Sequence, residues 1–492
     1  MTREAPDEAP DQLGSRILRG SVWTAARQGV QQLAALLSLV VVARLVPPSE
    51  VGLFSMATLV LTITRALTET GFEQALIQRA ELTERILDVG FTAVFLRALL
   101  VGAVMALGAP LFASFFDELR VADLLRVLAL GIALEGLVNN RVAMLQRELD
   151  FRRYFFFHAA GQLVTLVVTV ACAFVRHDVW AVAFGQLAGA GGRVLASYVL
   201  ASRRPRLCFD LAIARDLLKY GRWVSVSSVL LFLLVNGDNL FIAKVIGATD
   251  LAYYNWAYQL ANLPALFVTQ ILSSVMFPAL ASVRGDPARQ SQLFVRSMRL
   301  TWLLSLPSTL FIAALVAPFT QAALGERWLP IVPITHALAC FGLMRAVGAS
   351  SAALFLAVGR PDLRAKLQVA QLVVFGLAVY PLYKHFGVLG VAWAVTLYAL
   401  LNLTSAQLAF RLCELPFSAL GRPVWAATVA ALVGGVVAYL CAHVLAPWPW
   451  LALVLGSCAG VGVTLVGLYV LDRDGEITYV VRLLRRVAGS PR

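Results

Sequence analysis

Long apolar runs divide most of the chain into segments of about 20 residues or more, separated by short polar stretches. A helix of that length crosses the ~30 Å hydrocarbon core of a bilayer. The pattern therefore predicts an all-α integral membrane protein with about fourteen transmembrane helices. The expected spans cover residues 21–45, 51–69, 88–115, 121–146, 152–175, 178–201, 222–246, 250–282, 293–324, 330–357, 362–384, 388–412, 421–445 and 449–471.

One polar stretch occurs twice with the same order of residue types. Residues 43–57 and 243–257 each contain a basic residue, a turn, a hydroxyl residue and an acid, followed by an apolar helix start. Trp23 and Trp223 keep the same spacing ahead of the two copies. Such internal similarity is typical of transporters built from two homologous halves. An even number of spans separates the copies, so we expect two parallel repeats with the substrate between them near the midplane.

The repeat and the spans define the expected domains. A tail of residues 1–20 precedes a first six-helix lobe of residues 21–202. Residues 203–413 form a linker and a second six-helix lobe, and residues 414–492 hold two extra C-terminal helices and a basic tail. Within the linker, residues 207–220 mix apolar and basic positions, which fits either a helix on the inner leaflet or a plain basic linker.

Composition and charge agree with a lipid environment. Hydrophobic residues make up 60% of the chain and charged residues 14%, and the mean hydropathy is +0.78. The net charge of +13 is spread over short connections, so nucleic acid is not an expected partner. The tails and the connections after even-numbered spans carry about 28 basic residues, against about six on the opposite side. This asymmetry predicts that both termini are cytoplasmic.

The sequence lacks the motifs of soluble catalysis. There is no Walker A stretch, no Gly-x-Ser-x-Gly and no His-Glu-x-x-His. Six cysteines and five histidines are scattered without the spacing of metal ligands. We therefore expect neither an enzyme nor a metal or other cofactor.

Ionisable and amide side chains inside apolar spans are the candidate functional residues, because each charge costs at least ~2.5–3.5 kcal/mol at mid-bilayer and is expected to face the protein interior or water. Arginine dominates, which favours an anionic substrate, since guanidinium binds phosphate in a bidentate manner. For Arg65 and Arg193 we instead expect side chains that extend to the membrane interface. The candidate anion-binding cavity comprises Arg27, Arg97, Arg141, Arg345, Asn139, Asn255 and Gln259. Acids that could bind a proton or sodium, or belong to a gate, are Asp238, Glu69 and Glu135.

The repeat separates structural charges from the rest. Arg44 matches Lys244, and Glu50 matches Asp250. We interpret these four as structural outer turns, with Ser49 and Thr249 as N-caps, the acid at the positive helix start, and the preceding base as its partner.

Other charges break the repeat or occupy equivalent places in it. Arg27 corresponds to Ser227, and Asp238 to Ser38, which breaks the symmetry at membrane depth. Glu135 and Arg345 lie near the middle of the fourth and tenth spans. They are either a charge pair between lobes that opens and closes, or two unrelated cavity residues.

Several short motifs resemble those of a known family. They are Ala43–Phe54, Gly71–Arg79, Arg147–Arg152, Lys219–Gly221, Phe277–Pro278 and Gly325–Trp328. Together they resemble bacterial Wzx-type polysaccharide flippases of the multidrug/oligosaccharidyl-lipid/polysaccharide exporter superfamily. The resemblance implies an inner-membrane transporter of two six-helix lobes, which moves an undecaprenyl-diphosphate-linked oligosaccharide to the periplasmic leaflet by alternating access. It further implies membrane lipids as partners, and proton or sodium coupling and polysaccharide polymerase machinery remain open.

Two alternatives remain. One is a cation-coupled multidrug antiporter of the same superfamily, which would need a net acidic cavity. The other is a membrane glycan polymerase or glycosyltransferase, which usually needs a large periplasmic loop or a cytosolic nucleotide-sugar domain that this chain lacks.

Overall fold

A computed structural model describes residues 10–68, 83–147, 150–201, 203–210, 232–233, 235–283 and 286–471. Glu69, Trp223, Ser227 and most of the candidate surface helix at 207–220 lie outside these residues. The described part is largely helical, with non-helical connections such as residues 203–210, and no strand occurs within it. This confirms the predicted all-α membrane fold.

The described helices are numbered in chain order. They are α1 Pro10–Leu45, α2 Pro48–Thr68, α3 Glu84–Phe116, α4 Arg120–Glu135, α5 Val142–Arg147, α6 Phe151–Arg176, α7 Trp180–Leu200, α8 at 235–245, α9 Ala248–Ser282, α10 Pro287–Phe319, α11 Ile331–Ala357, α12 Pro361–Phe386, α13 Val388–Ala399, α14 Leu401–Leu412, α15 Gly421–Val444 and α16 Pro449–Leu471. Short segments Thr320–Leu324, Glu326–Trp328 and Phe417–Leu420 are π- or 3-10-helical.

Ten segments of the described chain are long and apolar enough to cross a membrane. They lie in α1, α2, α3, α6, α10, α11, α12, α13 together with α14, α15 and α16. At these places, the predicted spans are therefore confirmed as helices that are long and apolar enough to cross a membrane. The helix α4 has 16 residues and is too short to cross a bilayer by itself, and the expected spans in α7 and α9 stay predictions.

The predicted span 121–146 is not one helix. The helix α4 ends at Glu135 and α5 begins at Val142. In the break, Asn139 donates its backbone N–H to Ser197 Oγ at 3.0 Å, and its side-chain amide donates to the Arg203 carbonyl at 2.8 Å. The Asn140 amide donates to the Leu87 carbonyl at 2.7 Å. Asparagine side chains that bond the backbone compete with helix formation, which explains the interruption.

The chain separates into two compact units, Met1–Ala252 and Tyr253–Arg492. The lobe boundary expected near residue 202 stays a prediction. In the first unit, small residues let α6 and α7 approach closely. A Cβ on Gly185 would lie 1.8 Å from Thr169 Oγ1, and one on Gly189 would lie 1.8 Å from Thr165 Oγ1. Such small-residue contacts are the usual way in which membrane helices associate.

Candidate functional site

The turns of the first unit meet at one end, which we call the short-turn end: residues 46–47, 117–119, 177–179 and 246–247. Arg120 binds the Glu50 carboxylate through two hydrogen bonds of 2.7 and 2.8 Å. The Val179 N–H donates to the same carboxylate at 3.2 Å. Lys244 donates to Asp117 at 2.7 Å. These contacts join the ends of α2, α3, α4, α7 and α8.

The two copies of the repeated stretch contact one another at this end. A Cβ on Gly52 would lie 1.8 Å from the Ala248 carbonyl oxygen, so only glycine fits there. The helices α2 and α9 begin at Pro48 and Ala248. Ser49 and Thr249 therefore lie inside the first turn, and each predicted N-cap position was two residues late.

The acids of the repeat lie in the first turns of their helices, as predicted. The expected partners differ, however. Glu50 is bound by Arg120 and Lys244 binds Asp117, because turns that are distant in sequence meet at the short-turn end. Arg44 lies in the last turn of α1, and Asp250 is half-buried. Their structural role stays a prediction.

The charged cluster, which we define as Arg65, Glu135 and Arg193, joins α2, α4 and α7 deeper in the first unit. Arg65 donates to Glu135 Oε2 at 2.6 Å, and Arg193 donates to Glu135 Oε1. The side chains of Arg65, Arg193 and Glu135 are 52%, 26% and 30% exposed. One carboxylate therefore bridges two guanidinium groups, both of them partly exposed.

A row of polar groups continues from this cluster toward α1. The Arg27 guanidinium carbon lies 5.9 Å from the centre of the Tyr154 ring. That ring packs against His158, one turn along α6, at 4.5 Å between centroids. Both Arg27 and Arg193 act electrostatically on His158. Within the described residues, His158 Nε2 is buried without a hydrogen-bond partner.

Gly161 determines where the Arg193 side chain lies. A Cβ at position 161 would fall 2.3 Å from Arg193 Cγ and 3.2 Å from its Cδ. The stem of Arg193 thus crosses α6 where glycine leaves room, and its guanidinium reaches Glu135. Counted at 1.5 Å per residue from the starts of α7 and α4, Arg193 and Glu135 lie about 20 and 23 Å from the short-turn end.

Asn139 and Arg141 lie at the opposite end of the first unit, which we call the basic end: residues 83–88, 136–147 and 203–210. Asn139 is fully buried and Arg141 is 8% exposed. Arg141 pairs with Glu84 at 2.5 Å and Asp88 at 3.2 Å, and Asp88 also accepts the Arg206 N–H at 3.2 Å. These contacts attach the start of the linker, and a direct role in binding cargo stays a prediction for both residues.

The second unit has its own polar group, centred on Arg345. Arg345 donates to the Tyr258 hydroxyl at 2.8 Å and lies 6.0 Å from the centre of the Phe341 ring. A Cβ on Gly342 would lie 2.1 Å from the Ala261 carbonyl. Glycine therefore lets α11 contact α9 here, one helical turn from Arg345 and Tyr258.

Two predicted amides accompany this group on α9. Asn255 is half-buried and Gln259 is exposed, and both lie within one turn of Tyr258 on that helix. A cation, amides and aromatic rings together are the groups that bind phosphate and sugar.

The remaining predicted residues have mixed outcomes. Asp238 is buried on α8 at 6% exposure, and its Oδ1 accepts the Asn239 N–H at 2.8 Å. Arg97 is half-buried on α3. Glu135 and Arg345 each have the local partners given above, and the gate between them stays a prediction. Among the described residues no group of His, Cys, Asp or Glu could hold a metal ion.

Sequence reasoning missed several members of these sites. The expectation that Arg65 and Arg193 extend to the membrane interface stays a prediction, but their shared contact with Glu135 was not foreseen, because position along a helix does not show which way its side chains face. His158 and Tyr154 were not singled out as ligands. One signal was present: Tyr154, His158 and Gly161 recur at helical spacing on α6, so they share a face.

This fold is that of a polytopic α-helical membrane protein. Over 93% of this chain and 99% of the other, it matches a structure of "Lipid II flippase MurJ, inward closed conformation", with a TM-score of 0.72 at 13% identity. It also matches an inward-facing "multidrug resistance MATE family transporter of the MOP superfamily", with a TM-score of 0.64 at 17% identity, over 78% of this chain and 94% of the other. At these identities the matches show the fold alone.

Sequence comparison defines the family. Residues 41–333 match the model described as "Polysaccharide biosynthesis protein", and the chain belongs to this family of Wzx-type polysaccharide transporters. It is 24% identical to "Lipopolysaccharide biosynthesis protein WzxC" of Escherichia coli (strain K12), over 79% of this chain and 80% of that protein. It is also 24% identical to "Teichuronic acid biosynthesis protein TuaB" of Bacillus subtilis (strain 168), over 79% of this chain and 80% of that protein. "Succinoglycan biosynthesis transport protein ExoT" of Rhizobium meliloti (strain 1021) is 25% identical over 61% and 60%. The protein is a multi-pass membrane transporter and not an enzyme.

Proposed function

We propose that this protein moves a lipid-linked oligosaccharide, carried on undecaprenyl diphosphate, from the cytoplasmic to the periplasmic leaflet of the bacterial inner membrane. The family and its relatives in lipopolysaccharide, teichuronic acid and succinoglycan biosynthesis support a cargo of this class. Such a cargo has a diphosphate that needs cations and a glycan that needs amides and aromatic rings. The resulting glycan would enter a cell-surface polysaccharide.

The single observation that carries this proposal is the charge of the polar row in the first unit. Among the described residues of this row, Arg27, Arg65 and Arg193 contribute three positive charges and Glu135 contributes one negative charge, a balance of +2. A diphosphate that joins a lipid to a sugar carries two negative charges, so the balance fits this cargo. Guanidinium is the group best suited to bidentate contact with phosphate. A cavity for cationic drugs would need the opposite balance.

The position of the row supports loading from one leaflet. The charged cluster lies nearer the basic end than the short-turn end of the first unit. The positive-inside asymmetry assigns the basic end, and with it both termini, to the cytoplasm. A diphosphate headgroup in the cytoplasmic leaflet would then meet the cluster first, and alternating access would release it on the other side.

The test uses purified protein in liposomes that contain a fluorescent undecaprenyl-diphosphate oligosaccharide. A membrane-impermeant quencher reports how fast the label changes leaflet. We expect Arg193→Gln to slow the exchange about tenfold or more, because a hydrogen bond to a charged group contributes about 1.5–3 kcal/mol. The matched control is Arg126→Gln, which removes an arginine that is 53% exposed and paired with Asp123 on α4.

The outcomes separate the candidate functions. Exchange by the wild-type protein and the control, with loss in Arg193→Gln, supports the proposal. Absence of exchange in the wild-type protein, together with export of small cationic dyes, would replace it with the antiporter. Equal rates of exchange in Arg193→Gln and wild type would show that the charged cluster is not part of the cargo site.

A further inference from the structure

Glu135 occupies the position where an anionic cargo is expected to bind. Its two carboxylate oxygens accept separately from Arg65 and Arg193. A phosphate group between two guanidinium groups would use the same donors in the same way. The carboxylate is tethered at the end of α4 and directly before the break at 136–141.

We propose that Glu135 is a resident counter-ion that the diphosphate of the cargo displaces from Arg65 and Arg193. The inference rests on the proposed function and adds a specificity device to it. With no cargo bound, the carboxylate offsets part of the positive charge of the two arginines at membrane depth, where unpaired charge is costly. A cargo with too little negative charge cannot compete with this carboxylate, whereas a diphosphate can.

The surroundings of Glu135 allow such an exchange. All three side chains of the cluster are partly exposed, so an incoming anion can reach the guanidinium groups before the carboxylate leaves. A buried arginine would not offer this access; Arg141, at 8% exposure, is the example within the same unit. His158 and Arg27 lie on the Arg193 side and supply further polar contacts.

Competition by a tethered group has a measurable consequence. A side chain held beside its partners acts at an effective concentration in roughly the millimolar range. Glu135→Gln keeps the shape of the side chain and removes its charge, so we expect the dissociation constant for a diphosphate to fall about tenfold. In the wild-type protein, the carboxylate rebinds the two arginines and thereby helps to release the cargo. We therefore expect Glu135→Gln to bind the labelled lipid more tightly and to move it between leaflets more slowly.

The experiment is a calorimetric titration of the purified full-length protein in detergent with inorganic pyrophosphate. It compares wild type with Glu135→Gln, Glu135→Asp and the matched control Asp123→Asn. Asp123 also pairs with an arginine on α4, at 2.6 Å, but lies at the other end of that helix and is 62% exposed. We expect tighter binding only in Glu135→Gln, and near wild-type binding in Glu135→Asp and in the control. Monodisperse elution of each variant shows that it is folded.

The contrary results are distinct. Pyrophosphate binding that is unchanged or weaker in Glu135→Gln would overturn the counter-ion role. Absence of pyrophosphate binding in the wild-type protein and in all variants would also overturn it. In either case, the leaflet-exchange assay shows separately whether transport of the lipid-linked glycan stands.

Discussion

At the scale of single residues, Glu50 shows how one carboxylate holds several helices together. It lies in the first turn of α2, receives two hydrogen bonds from Arg120 on α4, and accepts the Val179 N–H beside α7. The carboxylate is 15% exposed and Arg120 is 56% exposed, whereas Val179 is buried, so loss of the carboxylate charge weakens the acceptor of a buried backbone donor.

We expect Glu50→Gln to destabilise the protein by about 1–3 kcal/mol, the usual cost of an unsatisfied buried polar group. The measurement is the midpoint of thermal unfolding in detergent. Asp123→Asn is the control, because an exposed ion pair contributes only about 0–1 kcal/mol. Equal midpoints for Glu50→Gln and wild type would show that the short-turn end does not depend on this carboxylate.

At the scale of helices, close contacts at glycine determine which charges meet. Gly161 admits the stem of Arg193 across α6, and Gly342 brings Arg345 near Tyr258 by letting α11 contact α9. The positions of these two arginines thus depend on glycines, which have no side chain that could bind cargo. A change at such a glycine is expected to displace an arginine without removing it.

Gly161→Ala tests this dependence. The added Cβ would lie 2.3 Å from Arg193 Cγ, so the guanidinium must leave its position, whereas alanine favours the helix itself. We expect a folded protein whose rate of leaflet exchange falls about tenfold, close to the effect of Arg193→Gln. Gly191→Ala on α7 is the matched control, because a Cβ there meets no atom within 4 Å. Wild-type exchange in Gly161→Ala would show that Arg193 does not need this position.

The elements were largely predictable from the sequence, and their lateral contacts were not. Apolar length predicted the spans, because a bilayer imposes that length, and the repeat predicted two equivalent turns. Glu135 meets Arg65 and Arg193, which are 70 and 58 residues away in sequence. That contact depends on helix rotation and packing, which a single sequence does not specify. The break after Glu135 had a local sign in Asn139 and Asn140, yet apolar periodicity dominated the prediction.

At the scale of the whole molecule, acidic residues are distributed unevenly along the chain. Between residues 253 and 471 the acids are Asp286, Glu326, Asp362 and Glu414. Asp286 is the residue before α10, Glu326 opens a 3-10 turn, Asp362 lies in the first turn of α12 and Glu414 follows α14. None lies in the interior of a long helix. Carboxylates at membrane depth among the described residues therefore belong to the first unit, where Asp238 is buried and Glu135 joins the charged cluster.

This distribution leads to a prediction about ion coupling. A buried carboxylate such as Asp238 is costly in its charged form unless a proton or cation accompanies it. If an imposed proton or sodium gradient accelerates leaflet exchange, we expect Asp238→Asn to keep the exchange but to lose its acceleration by the gradient. The measurement is the ratio of exchange rates with and without the gradient, in the same liposomes. Asp362→Asn, in the first turn of α12, is the control and should keep the wild-type ratio. An unchanged ratio in Asp238→Asn, or a wild-type rate that no gradient alters, would exclude Asp238 as the coupling site.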